Sequence, residues 1–545
     1  MKIPNICLLV FLTVCCDSGN LFGTPEPNAS LLQASRLIHP RIEEPESYLK
    51  PFVEFLRTKS EEPTTFIIKA LPAHKIVIMG ETHHRPLYWA FTSSLVTDPE
   101  FVKNVGTIYM ELPSNDQELV DKFLAGKECD TMLVIEMLRD NLWMGWPDQP
   151  MLDFFVTAWK VNQNLDQPHK IRIVLVDMQR LWKSIQKRDD WKNYNVDRDK
   201  FMADMILADI RNHSGDKRNN LFIVGVNHTA MNLKRMDGTP VKTAGWYLRE
   251  NLGADAIYTV MQHRCVQTNT GRVDGRLCLG LFDSAFAEVA NKPMAFALDE
   301  GPFGKQPYDA DPETPVASTY RDGFNAYLYL GPLETESFSP LIAGFYTDEF
   351  IREIERRYQL MYGKGWAEAY GQKKSDAESF INWMSSNWGK PRQEWQKDAL
   401  GPMDAWKYGD NWKEEIRKAN YVTALEHTEL ITDAATKLFN AIRNANYEKH
   451  LDGSNFLPYD LDYRVNHYFD EWVRWVCKTF KNNPIESVEL GKVFKDLSDR
   501  PVIPYKLTLR DGMILEGNLP FDYNPQRQIW YGVEGIDWHL QSKKP

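Results

Sequence analysis

The sequence predicts an α/β fold, with a largely parallel sheet flanked by helices, a C-terminal α-helical extension and a small terminal β module. Short apolar runs alternate with helix-length segments from about residue 50 to 335, the pattern of βα units. After Thr347 the apolar spacing turns helical, and a hairpin signal lies in the last fifty residues. At 545 residues the chain is too long for one ordinary domain. Its 43% hydrophobic and 26% charged residues are a globular composition.

At the N-terminus, Lys2 precedes a mostly apolar run from Ile6 to Cys16. That is the length of a signal-peptide core and too short for a membrane span. Residues 1–16 are therefore expected to direct export, to the periplasm or cell envelope as a lipoprotein, or into the medium. Leu12-Thr13-Val14-Cys15-Cys16 resembles a lipobox, so membrane anchoring through a lipid on Cys15 or Cys16 is one expectation and simple cleavage the other. Residues 17–49, with Pro25, Pro27 and Pro40 among polar neighbours, read as a tether.

The α/β domain is expected over 50–340. Its strands are the runs Lys75 to Met79, Thr107 to Met110, Ile171 to Val176, Leu221 to Val224, Ala256 to Met261 and Leu277 to Phe282. Between them lie helical patterns at Leu87 to Val96, Gln117 to Leu124, Met151 to Asn162, Asp199 to Ile210 and Thr243 to Asn251. A helical region follows over 341–495, where Ile431, Ala434, Leu438 and Ile442 recur on one amphipathic face. The β module over 496–545 contains a hairpin, Tyr505 to Leu509 and Met513 to Leu515, around Asp511-Gly512.

Charge and cysteine content narrow the function. Lys and Arg number 64 against 75 Asp and Glu, a net charge of -11 with no long basic run, which disfavours a nucleic-acid surface, so no nucleic-acid partner is expected. Beyond the N-terminal run only Cys129, Cys265, Cys278 and Cys477 remain, with no C-x-x-C, so neither a disulfide framework nor a cysteine zinc site is expected. Cys265 and Cys278 flank 268–271 in what reads as two strands and a loop, and are expected to face each other.

The strand ends carry the chemistry. Ile76 to Met79 runs into Gly80-Glu81-Thr82-His83-His84, Ile108 to Met110 into Glu111, Ile173 to Val176 into Asp177, and Phe222 to Val224 into Gly225-Val226-Asn227-His228. In a parallel sheet all carboxyl ends share one edge, so these side chains are expected to converge in one cleft. In each Gly-x-x-His the glycine is expected to let the chain turn off the sheet, leaving the histidine over the edge. Glu81, His83, Glu111 and His228 are the expected catalytic set, because so many ionisable groups at buried strand ends would be costly without purpose. His84 reads otherwise as a solvent-facing neighbour of His83, and Asp177 as a cap for the next helix; His263, ending another strand, is a reserve. His84, Asp177 and His263 complete the expected ligand-binding set.

These residues resemble the erythromycin esterase-like group and its relatives, the ChaN-type haem-uptake lipoproteins and the Tiki/TraB proteins. The likeness rests on Gly80-Glu81-Thr82-His83, Glu111 and Gly225-Val226-Asn227-His228 followed by Gly245-Trp246-Tyr247-Leu248. It extends to Trp143, Trp159 and Asn162, to Arg198-Asp199 with Met202-Ala203, and to Asp322-Gly323-Phe324 ending in Gly331-Pro332-Leu333, and covers roughly residues 65 to 335. The esterase branch implies a hydrolase of an ester or amide in which His83 activates water, assisted by Glu81 and Glu111, with His228 as second histidine and no metal. The Tiki branch implies a metalloprotease with Zn or Mn, for which His83, Glu111 and His228 are the matching ligands. The ChaN branch implies a haem-binding uptake lipoprotein without turnover. Haem needs an axial ligand and an aromatic-lined slot; Tyr88, Trp89, Trp143 and Trp146 make such a slot possible and read otherwise as core or rim. Its partner is thus a small-molecule substrate or haem. One departure counts against macrolide-ester hydrolysis: the arginine the esterase pattern places nine residues after its first histidine is Thr92 here, leaving Arg85 as the nearby substitute.

Overall fold

The computed structural model describes residues 39–192, 196–267, 273–312, 315–385, 400–443, 480, 482–526 and 528–532. The expected signal peptide, the lipobox cysteines, most of the tether, the loop 268–271 and Cys477 lie outside the described residues. The described residues fall into two compact units, one within Glu44–Glu394 and the other within Ile38–Glu43 and Trp395–Pro545.

In the first unit, five of the six expected runs are strands: β1 (Ile76–Glu81), β2 (Val105–Pro113), β3 (Arg172–Asp177), β4 (Asn219–Gly225) and β5 (Ile257–Gln262). A short ribbon, β6 (Cys265–Gln267) with β7 (Val273–Arg276), follows, and then β8 (Met294–Ala297) and β9 (Ala326–Tyr329). The main sheet has the order β3-β2-β4-β1-β5-β9-β8. Its pairs are parallel except β8 with β9, which is antiparallel. The sixth run, Leu277 to Phe282, is not a strand. It forms a 3-10 turn, Leu277–Gly280, and the helix Leu281–Ala287, because Cys278, Leu279 and Gly280 all take left-handed φ values of 48°, 54° and 89° that no strand tolerates.

The same turn overturns the expected facing of Cys265 and Cys278. Cys265 sits opposite Arg276 in the ribbon, whereas the Cys278 backbone N–H donates to Asp309 at 2.7 Å, and both thiols are free.

Both faces of the sheet are covered, which is why its strands read as continuous apolar runs. On one face Ile108, Met110 and Leu175 pack with Phe154 and Phe155 of the helix Gln149–Gln163 and with Phe350, Ile351 and Ile354 of the helix Asp348–Tyr362. The opposite face packs Ile78, Tyr109 and Phe222 against Met202 and Ile206 of the helix Arg198–Asn212 and Leu248 of Ala244–Leu252. Helices from the region after residue 347 thus share the core of the sheet.

The second unit contains the helices Trp412–Thr423 and Thr428–Arg443 and an antiparallel sheet ordered Ile485–Leu490, Pro501–Leu509, Ile514–Asn524, Ile529–Gly532. Ile431 and Leu438 of the predicted amphipathic face are buried among Ile503, Leu507, Leu519 and Phe521. The predicted hairpin is present, with Gly512 of its turn at φ 84°.

Asp116, in the turn Ser114–Asp116 after β2, is a buried carboxylate with a measurable signature. Burial, and then the neighbouring Asp140 carboxylate, push its pKa from the ordinary 3.8 up to about 7. An acid raised by folding resists ionisation only in the folded state, so the cost is absent below the unfolded value and complete above pH 7. Asp116→Asn is therefore expected to raise the melting temperature at pH 8 and leave it nearly unchanged at pH 3.5, as read by thermal unfolding monitored at both values.

Candidate active site

Three adjacent strands, β2, β4 and β1, build the site. The register places Glu81 at the end of β1 beside Gly225 at the end of β4, with β2 on the far side of β4. Glu111 of β2 reaches across, and its Oε2 accepts the Gly225 N–H at 2.6 Å. The His83 ring sits over the same glycine. A Cβ on Gly225 would lie 2.8 Å from His83 Cε1 and 3.1 Å from both His83 Nε2 and Glu111 Oε2. The glycine is therefore required for space rather than for a sharp turn, since its φ is an ordinary −52°. Gly80 likewise lies inside the extended β1.

Each histidine is held by a carboxylate of its own. His83 Nδ1 donates to Glu81 Oε1. His228 Nδ1 donates to Asp199 Oδ1 at 2.8 Å, and that oxygen also accepts the Ala244 N–H at 2.7 Å, from the first residue of the helix Ala244–Leu252. The Nε2 of His228 lies 3.5 Å from Glu111 Oε1 and 3.4 Å from Arg198 Nη1. Arg198 joins the acids together. Its Nη2 donates to Glu111 Oε1, and its Nε and Nη2 donate to Asp177 at 2.7 and 2.8 Å.

The electrostatics follow from this geometry. Burial alone would lower the pKa of His228, but Asp199 and Glu111 outweigh it and push the pKa up to about 9, so the ring is an imidazolium at neutral pH. Burial would raise Glu111, yet Arg198, His228 and His83 together hold it below its ordinary value. Asp177, equally buried, is held well below its usual range by Arg198 and Arg180.

The structure thus brings Glu81, His83, Glu111 and His228 to one edge, with Asp177 linked through Arg198. Asp177 does not cap a helix: besides Arg198 it accepts the N–H of Met178 at 2.7 Å, next to it in the chain. His84 is not solvent-facing. It is buried behind His83, with Nδ1 donating to Asp148 at 2.9 Å. His263 stands apart, its Nδ1 hydrogen-bonded to Tyr327 Oη at 2.7 Å and its ring beside Phe286 and Tyr329. Thr92 is buried, its hydroxyl on the Tyr88 carbonyl. Arg85, the nearby substitute, pairs with Glu336 at 3.3 Å and stacks over Phe338. Arg198 is the guanidinium at the site.

Of the four rings that read as core or as the wall of a haem slot, most are engaged in packing. Tyr88 donates to the His263 carbonyl at 2.5 Å, Trp89 packs on Phe154 and Trp143 on Tyr358, while Trp146 meets His83 edge-on, with ring centroids 4.8 Å apart.

A metal could draw on a different trio from the one the sequence suggested. Ligand atoms of Glu81, His83 and Glu111 lie within 4.8 Å of one another, and Glu81 Oε2 is buried with no hydrogen-bond partner among the described residues. Carboxylate and imidazole donors at that spacing fit a divalent ion such as Zn or Mn. His228 is outside the trio; its Nε2 lies beside the Arg198 guanidinium, 3.4 Å from Nη1.

Sequence reasoning singled out neither Arg198 nor Asp199 as site residues. Both stand in the first turn of the helix Arg198–Asn212, capped by Asp197, whose carboxylate accepts the Lys200 N–H at 3.0 Å. An Asp-rich helix start is ordinary on its own.

The chain matches no family model and no curated protein. Among solved structures it is similar to a succinoglycan biosynthesis protein, at 10% identity and TM-score 0.37, covering 52% of this chain and 96% of that one. It is similar to a mutant erythromycin esterase in its open conformation, at 11% identity and TM-score 0.32, covering 53% and 96%. It is similar also to the haem-binding ChaN of Campylobacter jejuni, at 14% identity and TM-score 0.20, covering 37% and 86%. Two of the groups named by the motifs are among these structures.

Gly225→Ala tests the close approach. The added methyl must displace His83 or Glu111, so the variant is expected to fold yet lose at least tenfold in any turnover that wild type shows, an order of magnitude consistent with misplaced catalytic groups. Steady-state kinetics beside a circular dichroism spectrum would check this.

Proposed function

We propose that this edge is the active site of a hydrolase acting on an ester or amide of a small molecule. The observation that carries the reading is the arrangement of two imidazoles, each fixed at Nδ1 by its own carboxylate, on either side of Glu111 and beside the Arg198 guanidinium. His83, with Nδ1–H held by Glu81, has Nε2 as its basic nitrogen. It would take a proton from water as the water oxygen bonds to the carbonyl carbon. Negative charge then builds on the carbonyl oxygen, where Arg198 and the His228 imidazolium supply the opposing positive charge. As the bond to the leaving group breaks, His228 would give up its own Nε2 proton to it, and loss of the proton from His83 to solvent with uptake of one by His228 would restore both rings. Glu111 keeps His228 charged and Arg198 in place.

A metal-dependent version of the same hydrolysis is favoured by one observation, the unpartnered Oε2 of Glu81 beside His83 and Glu111. A divalent ion held there by Glu81, His83 and Glu111 would polarise a substrate carbonyl. Export of the protein is part of the proposal and rests on the apolar run from Ile6 to Cys16. Among the described residues no helix is long and apolar enough to cross a membrane.

The test uses p-nitrophenyl esters and p-nitroanilide amides. His83→Ala and His228→Ala are each expected to lower kcat by roughly 10²–10⁴-fold while the circular dichroism spectrum stays that of the folded protein, with the melting temperature lowered in His228→Ala because Asp199 and Glu111 lose a buried cation. Full activity in both variants would contradict the reading. Dialysis against a chelator separates the two versions: lost activity restored by Zn or Mn supports the metal-dependent one, and undiminished activity the metal-free one.

A further inference from the structure

Asp148 breaks a local rule. It occupies the N-cap position of the helix Gln149–Gln163, where an aspartate side chain ordinarily accepts a backbone N–H of the first turn, yet it makes no such bond. Its carboxylate is wholly buried and turned back toward β1. There it accepts His84 Nδ1–H, at 2.9 Å to Oδ1 and 3.1 Å to Oδ2, and Trp146 Nε1–H at 3.0 Å. A fold that forgoes a helix cap and buries a carboxylate accepts two costs, and the compensation lies in what the carboxylate holds.

It holds two sides of His83. His84, the next residue, has a left-handed φ of 62°, strained for a side chain branched beyond glycine. The Asp148 bond at the ring, and the Ser339 N–H donated to the His84 carbonyl at 2.9 Å, pin it there. On the other side Trp146 presents an edge-on contact to His83, with ring centroids 4.8 Å apart, and packs on His84 at 5.0 Å. The Asp148 backbone is anchored in turn, since Asp148 bridges Leu341, Gln149 N–H donates to the Pro340 carbonyl, and Ile342 N–H donates to the Pro147 carbonyl.

We infer that Asp148 is a positioning residue that fixes the His83 ring, through the His84 backbone turn on one side and the Trp146 indole on the other. Glu81 sets the ring from within the strand, and Asp148 sets it from the following segment of chain, so two acids far apart in sequence determine one imidazole. The catalytic consequence rests on the hydrolase reading; the positioning itself does not.

The experiment uses Asp148→Asn and Trp146→Phe in the full chain, the second deleting the indole N–H and leaving an aromatic ring should the first fail to fold. Carbethoxylation of each histidine by diethylpyrocarbonate, followed by mass spectrometry, reads ring exposure without requiring turnover. The His83 rate is expected to rise severalfold in both variants while the His228 rate stays at the wild-type value, and kcat on the p-nitrophenyl ester is expected to fall roughly ten- to a hundredfold with KM little changed. Wild-type values of the His83 rate and kcat in either folded variant would overturn the inference. So would a parallel rise at His83 and His228 with a lowered melting temperature, the sign of a merely structural role. If His83→Ala and His228→Ala both keep full activity the hydrolase reading fails, and the carbethoxylation rates still decide the positioning.

Discussion

Glu111 is a carboxylate buried at the end of a central strand, and its compensation organises everything around it. An isolated charge in that position would cost several kcal/mol, and unpaired it would take up a proton instead. Three neighbours prevent this: the Arg198 guanidinium and the Gly225 N–H, which donate to the carboxylate, and the His228 imidazolium, 3.5 Å from it. The charge thereby ties β2 to the end of β4 with the turn after it, and to the first turn of the helix Arg198–Asn212. The same neighbours give the site its chemistry, since a cationic pair next to an imidazole that is basic at one nitrogen can both withdraw and return a proton.

Sheet order supplies the proximity. With β4 lying between β1 and β2, Gly225 lets the residues of both neighbours close over it, and any side chain there would fill the space where His83 and Glu111 meet. The carboxyl edge of a parallel sheet offers this convergence in general. In this chain it produces histidines that are not free bases at a cleft wall but rings fixed by carboxylates: Glu81 for His83, Asp148 for His84 and Asp199 for His228.

The legible part of this architecture is the part that follows from apolar patterning. β1 to β5 are buried on both faces, so their runs stand out, and each charged residue at a run's end points to the shared edge. Met294–Ala297 and Ala326–Tyr329 escaped because four residues are too few for a pattern, although they complete the sheet. Leu277 to Phe282 misled for the converse reason, since a short apolar run reads alike as a buried strand or helix and the left-handed turn inside it leaves no trace in the composition. The Gly-x-x-His pattern was informative, but for close approach rather than turning; the left-handed residue is His84. Arg198 and Asp199 entered only as part of the family resemblance, with no role, and Asp148 not at all, each standing at a helix start where such residues are common. Their assignments depend on which way the side chains turn, a tertiary property.

The coupling between Glu111 and Arg198 tests the central claim most directly. A double-mutant cycle with Glu111→Gln and Arg198→Met, read by urea unfolding, isolates their interaction from the separate effects of each change. If the buried charge is compensated as described, each single change leaves a partner stranded and the double variant loses less stability than the two losses added, by about 1–3 kcal/mol. Strict additivity would contradict the account.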